Sequence, residues 1–431
     1  MTDKLDALFQ KAVDSKSLPG IAAAIYDASG KAVYSKAFGK NNVDDDSAKP
    51  YTTSTQTLMF STTKLIASVA ALQLIEQGKL SLTDPAEKYV PEIAKIQVID
   101  GKDSDGKFKL RAAKTKPTIL NLITHTAGFT YDFFDHDTLA WRIGQGQAPA
   151  PYLGVGSWEA FQTPLAHDPG EKYTYGINID WLGFVIEAVS GKPLNVYVDE
   201  NILHPLGLKN TTTNFIDDAN RLVAHTRDEA GKLTPGPQFV PAEKPDRYGG
   251  GHYLVSTLDD YCQFLLAIVN EGTHPVSKVE ILKKETVRDY VFRDFIPEVG
   301  CSPSTIGDIA TSIPQLSAEG KMLPGVDLGW SCGLMLNNED VPNGRKAGSG
   351  AWAGLGNLYY WVDPKAGKLG MIITSVLPFF DEKSLELFDA LEKAAYGNEV
   401  GKQKTYEMKK ATSSSVDEVE KKLSDVSVSK D

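Results

Sequence analysis

Apolar residues at Leu5, Leu8, Phe9 and Val13 repeat at the spacing of one helix face, which predicts an amphipathic helix over residues 3–14. The run GIAAAIYDASGKAVYSKAFG then reads as two apolar strands joined around Asp27-Ala28-Ser29-Gly30, the glycine suiting a turn that needs positive φ. From Thr62 to Gly78 the period changes again. Leu65, Ile66, Val69, Leu72 and Ile75 form a broad apolar stripe, and Gly78 is a C-terminal stop, so Ser61 stands at the start of a long helix. Between 98 and 117 lies a polar stretch whose Asp100, Asp103 and Asp105 do not have the spacing of an EF-hand calcium loop. A surface hairpin turning at Asp105-Gly106 is expected instead.

Residues 118–290 are mainly helical patches broken by Gly and Pro, among them WLGFVIEAVSG and TLDDYCQFLLAIVNEG. Strand-like runs return in LGWSCGLML, NLYYWVDP and KLGMIITSVL, and EKSLELFDALEKAAYG is the last helix. This order predicts an α+β fold in which an antiparallel sheet is assembled from both termini and flanked by helices. The expected division is an α/β domain of residues 1–85 and 320–400, a mainly helical inserted domain of 86–319, and a disordered tail at 401–431. The tail is poor in apolar residues and rich in Ser and Lys, although Ser415-x-x-Glu418 keeps open a short helix docking elsewhere.

Composition narrows the function classes. The chain has 431 residues, 42% hydrophobic and 23% charged, which suits a folded globular protein and not a fibrous repeat. Its net charge of −11 opposes binding to a phosphate backbone, so no nucleic acid is expected. The N-terminus has acids within its first six residues and no apolar h-region, and no stretch reaches transmembrane length. Cys262, Cys301 and Cys332 are odd in number and widely spaced, which fits free thiols in a reduced, cytoplasmic setting. The seven histidines are scattered, so no metal and no cofactor are expected.

Ser61-Thr62-Thr63-Lys64 is a Ser-x-x-Lys pattern, but Ser104 with Lys107 and Ser427 with Lys430 match it too. Only the first lies where a strand-like run gives way to a long apolar helix, and residues three apart share a helix face. A serine hydroxyl needs a base to become a nucleophile, and a lysine buried at a helix start can lose its proton near neutrality. The same helix end aims the Ser61 backbone N–H at a developing oxyanion. Taken alone, an N-cap serine beside a solvated lysine explains the pattern as well. No Gly-x-Ser-x-Gly elbow accompanies the histidines, so His125 is expected to hold loops by hydrogen bonding and His252 to border the site.

Further runs decide between these readings. LPGIAAAIYDASGKAVYSKAFG, FSTTKLIASVAALQLIEQGKLSLTDPAEKYVPEI, LITHTAGF, PGEKYTYGINIDWLGFVIEAVSGKPL, HPLGLKNT and GGGHYLVSTLDDYCQF resemble the class C β-lactamase-like serine hydrolases over nearly everything before the tail. The resemblance implies a β-lactamase/transpeptidase-like fold, with Ser61 as nucleophile and Lys64 and Tyr175 sharing the proton transfers. Where many members read Tyr-x-Asn, this chain has Tyr175-Gly176-Ile177. Where β-lactamases and D-Ala peptidases have Lys-Thr-Gly, it has Trp352-Ala353-Gly354. Both departures, and the run Tyr175 to Gly183 with Asp180, are similar to family VIII carboxylesterases, and the tryptophan motif also to fungal side-chain transesterases. By the same resemblance the Leu355 N–H is the second oxyanion donor. Lys346-Ala347-Gly348 is a rival for the third motif, too far from Asp363-Pro364.

Without the amide-reading Asn and the carboxylate-reading Lys, a buried site would leave such substrate groups unpaired, so neutral esters or thioesters fit better. Phe129, Tyr131, Phe133, Phe134, Trp352 and Tyr360 would suit an apolar acyl pocket, though core packing accounts for most residues of this kind. Trp352, Ala353, Gly354, His252 and Phe129 are the candidate substrate contacts. The expectation is acyl transfer from a small ester to water or to an alcohol, with no membrane and no nucleic acid as partner. Lactamase or D-Ala-type peptidase activity and a catalytically idle scaffold are the alternatives.

Overall fold

The structure, a computed structural model, describes residues 2–43, 45–153, 156–217, 221–398 and 404–409. Its centre is a seven-stranded antiparallel sheet. The strands are β1 (Gly20–Asp27), β2 (Ala32–Gly39), β3 (Leu328–Trp330), β4 (Met335–Asn337), β5 (Ser349–Gly354), β6 (Leu358–Asp363) and β7 (Lys368–Ile373). They run in the order β3-β4-β5-β6-β7-β1-β2, and the two ends of the chain meet where Ala22 of β1 lies opposite Ile373 of β7.

Successive residues of a strand point to opposite faces, and β6 shows what covers each. Tyr360 packs on Tyr261 of one helix and Trp361 on Phe388 of another, with ring centroids 5.5 Å apart in both pairs. We label the five long helices α1 (Thr2–Asp14), α2 (Thr63–Glu76), α3 (Asn178–Ser190), α4 (Leu258–Val269) and α5 (Glu382–Ala395). Tyr261 belongs to α4 and Phe388 to α5, and α1 packs against α5 and β2. The sheet is therefore buried on both faces, which explains the unbroken apolar character of β6 and β7. Gly370 in β7 lies opposite Trp361, and a Cβ there would meet the indole at 2.0 Å, so only glycine leaves room for that ring.

Helix α2 differs from the one-sided stripe expected of it. Every residue from Thr63 to Leu74 is buried, because α3 packs on it and the phenol of Tyr261 in α4 donates to the carbonyl of Thr62 (2.7 Å). The hairpin at Asp105-Gly106 joins Val98–Lys102 to Phe108–Arg111. Residues 86–319 hold α3, α4 and several shorter helices, but also strands tied to the rest of the chain. His225 pairs with Val376, and Asp308–Ile309 pairs with Gly320–Met322, so a boundary at 320 would cut through a small sheet.

The third strand of that small sheet is Tyr406–Met408, paired antiparallel with Gly320–Met322. Within the tail, residues 404–409 are ordered where disorder is expected beyond 401, because Tyr406 is buried and its ring meets Phe380 edge-on at 6.4 Å. The possible helix at Ser415 and the pair Ser427 and Lys430 lie outside the described residues.

Candidate active site

The serine turn is built where three elements converge. Met59 donates its N–H to Leu254 O (2.9 Å), the Thr62 hydroxyl donates to Met59 O (2.7 Å), and β5 passes so close that a Cβ on Gly354 would sit 2.7 Å from Met59 O. Between them Phe60 has φ +46°, a left-handed conformation that costs a non-glycine residue roughly 1–3 kcal/mol and persists only where its surroundings enforce it. The short turn Phe60–Thr62 then feeds α2, leaving Ser61 partly exposed at its start.

One turn into the helix, Lys64 is fully buried. Its ammonium Nζ donates to Ser61 Oγ (3.1 Å), to the Tyr131 hydroxyl (2.8 Å) and to Gly251 O (3.0 Å). It also lies 4.9 Å from the ring centre of Tyr175 and 5.2 Å from that of Tyr131. Burial lowers its pKa from the usual 10.5 to about 7, with the negative charge of Asp180 pulling the other way. The Trp352 indole N–H donates to the Tyr175 hydroxyl (3.0 Å). Burial pushes the Tyr175 phenol far up, against hydrogen bonding to Ser61 and Trp352. The Tyr131 phenol is likewise driven well above its usual range, first of all by burial.

These groups open onto a cavity of about 410 Å³. Ser61, Tyr131, Phe133, Phe134, Tyr173 and Tyr175 line one part of it, and the end of β5 supplies Trp352, Ala353, Gly354 and Leu355. His252 is also on the wall, with Nε2 2.6 Å from Tyr152 O and Nδ1 3.1 Å from an Asp180 oxygen. Charge appears in the lining at Asp135, Asp308, Glu319 and Lys409, the last three carried on or beside the small sheet to which the tail contributes.

Two aromatic residues expected near the substrate are elsewhere. Phe129 is fully buried, its ring taken up in stacking on Trp181 of α3 (5.4 Å, 15°), and it does not line the cavity. Tyr360 belongs to the core against α4. Lys346, in the rival third motif, pairs with Asp340 at the surface (3.0 Å). His125 has φ +56° and receives the Asn178 amide at Nδ1 (3.1 Å) beneath the Tyr175 ring. Burial, and after it Lys64, holds His125 well below its usual pKa.

Sequence reasoning ranked Tyr131 only among several pocket aromatics, yet its hydroxyl is the shortest contact of Lys64. Its only signal was its place in the run Phe129 to Phe134, where neighbours of similar character are divided between core and cavity. Asp180 is marked in the sequence only by the similarity of the run Tyr175 to Gly183, which predicts no contact for it. Among the described residues no group of three or more His, Cys, Asp or Glu side chains is arranged to hold a metal ion. The three cysteines are unpaired, two of them buried and Cys301 half-buried.

Over residues 5–392 the chain matches the family model described as Beta-lactamase. Monacolin J acid methylbutanoyltransferase of Aspergillus terreus is 27% identical over 404 residues, covering 91% of this chain and 95% of that relative. Lovastatin esterase of Penicillium rubens is 29% identical over 388 residues, 87% of this chain and 93% of the relative. The structure of a mutant simvastatin synthase from Aspergillus terreus superimposes with a TM-score of 0.79 at 28% identity, over 92% of this chain and 96% of that one.

Proposed function

This chain belongs to the beta-lactamase family, and from that membership we propose that Ser61 is the nucleophile of an esterase or acyltransferase acting on small neutral esters. The observation that carries the reading is the fully buried Lys64 amine 3.1 Å from Ser61 Oγ, at the wall of a largely apolar cavity. Ser61 Oγ attacks the ester carbonyl carbon as its proton passes to Lys64 and Tyr175. The backbone N–H groups of Ser61 and Leu355 receive the oxyanion. The tetrahedral adduct collapses, the leaving alcohol takes the proton, and the acyl group stays on Ser61. Water or a second alcohol then enters by the reverse path and carries the acyl group away.

Trp352 bears on the substrate. It stands where a carboxylate-binding lysine would serve a lactamase or a D-Ala peptidase, and its N–H is already committed to Tyr175. A neutral ester leaves no charge unpaired there. The named activities of the relatives, methylbutanoyl transfer and lovastatin ester cleavage, support an acceptor that is either water or the alcohol of a larger metabolite. Among the described residues no helix is long and apolar enough to cross a membrane. With three unpaired cysteines, the cytoplasm is the compartment we assign.

The test is turnover of p-nitrophenyl butyrate by wild type and Ser61→Ala, with intact-mass detection of the acylated protein and nitrocefin as the lactam control. Ester turnover and an acyl adduct, both lost in Ser61→Ala, are expected. Nitrocefin turnover exceeding ester turnover would reassign the enzyme to lactams. The absence of both turnover and adduct in wild type would leave an idle scaffold.

A further inference from the structure

We propose that Asp180 is a positioning residue for Lys64, its carboxylate fixing the Gly249-Gly250-Gly251 loop so that the Gly251 carbonyl oxygen meets the lysine Nζ. The proposal rests on the roles given above to Ser61 and Lys64. Asp180 lies in the first turn of α3 and is fully buried. Its Oδ1 accepts the Gly251 N–H at 3.0 Å, and the carbonyl of that same glycine accepts Lys64 Nζ at 3.0 Å. One residue therefore joins the carboxylate to the lysine, its amide facing one and its oxygen the other.

The loop lies directly against the start of α3. A Cβ at Gly249 would lie 2.4 Å from Asp180 Oδ1, one at Gly251 2.4 Å from Oδ2, and one at Gly250 2.5 Å from Ile179 O. Three successive glycines thus let the backbone lie flat on the start of α3, where any side chain would push it off the carboxylate. Immediately after the loop, His252 Nδ1 comes within 3.1 Å of Oδ1, so the same carboxylate also faces a residue of the cavity wall.

A neutral asparagine would hold the loop by the same oxygen and avoid the expense of a buried charge. Yet the buried group is a carboxylate whose Oδ2 has no hydrogen-bond partner. What the carboxylate adds is negative charge one glycine away from Lys64, opposing the downward pull of burial on the lysine. An amine of lower basicity takes the Ser61 proton less readily, so the charge keeps Lys64 basic enough to accept that proton and, once protonated, able to pass it to the leaving alcohol. A carboxylate in the first turn of a helix is also favoured by the helix dipole. That effect is purely structural, and the test must separate it.

The experiment measures kcat and KM for p-nitrophenyl butyrate from roughly pH 5 to 9 in wild type, Asp180→Asn and Asp180→Ala, with Ser61→Ala as the blank. For Asp180→Asn the acid limb of kcat/KM is expected to move down by about one pH unit with KM within about threefold of wild type. For Asp180→Ala, kcat is expected to fall at least ~30-fold, since the loop loses its anchor as well. Lower thermal stability with the acid limb of Asp180→Asn unmoved would reduce Asp180 to a helix-terminal charge and overturn the proposal. Should neither variant fold, Gly251→Ala displaces the loop from the carboxylate directly. A loss of kcat at unchanged KM is then expected, and wild-type kcat in that variant would also overturn it. Failure of the Ser61 assignment would show separately, as wild-type turnover no greater than the Ser61→Ala blank.

Discussion

Lys64 directs its Nζ toward three neutral oxygens and touches no carboxylate, which is why burial dominates its protonation. An ordinary lysine near pKa 10.4 would be neutral in only about one molecule in a thousand or fewer at pH 7. With its pKa lowered to about 7, roughly half the molecules hold it as a free base there. Because the neutral amine is the competent base, activity falls as pH falls. We expect log kcat/KM for an ester to rise with unit slope up to about pH 7 and then level off. Both phenols are driven upward by burial, so neither adds a decline just above neutrality. A flat profile between roughly pH 5 and 7 would show that Lys64 does not act as the base. The closeness of Ser61 and Lys64 was legible from their spacing of three on a helix. The contact with Tyr131 was not, because its partner is 67 positions away and nothing local distinguishes its ring from that of Phe129.

At the level of elements, legibility followed the strength of local signals. α2, α5 and the β1–β2 hairpin show as apolar periods with recognisable ends, whereas Tyr406–Met408 is a three-residue strand whose order comes entirely from a distant partner. The start of α5 shows how such ends contribute to stability. Asp381 caps it by accepting the Ser384 N–H (2.9 Å) and also holds the Arg227 guanidinium through two contacts, at 2.5 and 3.2 Å. Its own N–H goes to Asn357 Oδ1 (2.9 Å). The cap and the half-buried ion pair thus meet in one carboxylate that ties the inserted residues to the sheet. Asp381→Ala should cost about 2–4 kcal/mol, read as a lower urea midpoint, since it uncaps the helix and leaves Arg227 without its anion. Ester turnover at low temperature should be unchanged, because the residue is not among those lining the cavity. A midpoint within experimental error of wild type would refute the assignment.

For the molecule as a whole, the cavity is closed by segments from far apart in the chain, with Ser61 near one end and Lys409 near the other. Lys409 stays in place because its N–H donates to Glu319 O (3.0 Å), next to the pairing of Gly320 with Met408. Deleting residues 404–431 should therefore leave kcat for p-nitrophenyl acetate within about threefold while raising KM for a bulky acyl ester roughly fivefold, the effect of about 1 kcal/mol of lost contact. Equal KM values for bulky esters in the two forms would mean that the tail strand is not part of the binding wall. The meeting of β1 and β7 has a consequence for how the molecule is made. During translation the β1–β2 hairpin emerges long before the neighbour of Ala22, which is Ile373. At ordinary elongation rates the open edge of β1 waits on the order of half a minute for its partner. Through that interval a strand as apolar as GIAAAIYD remains a template for any other strand it meets, so the nascent chain, more than the finished enzyme, is the form exposed to aggregation.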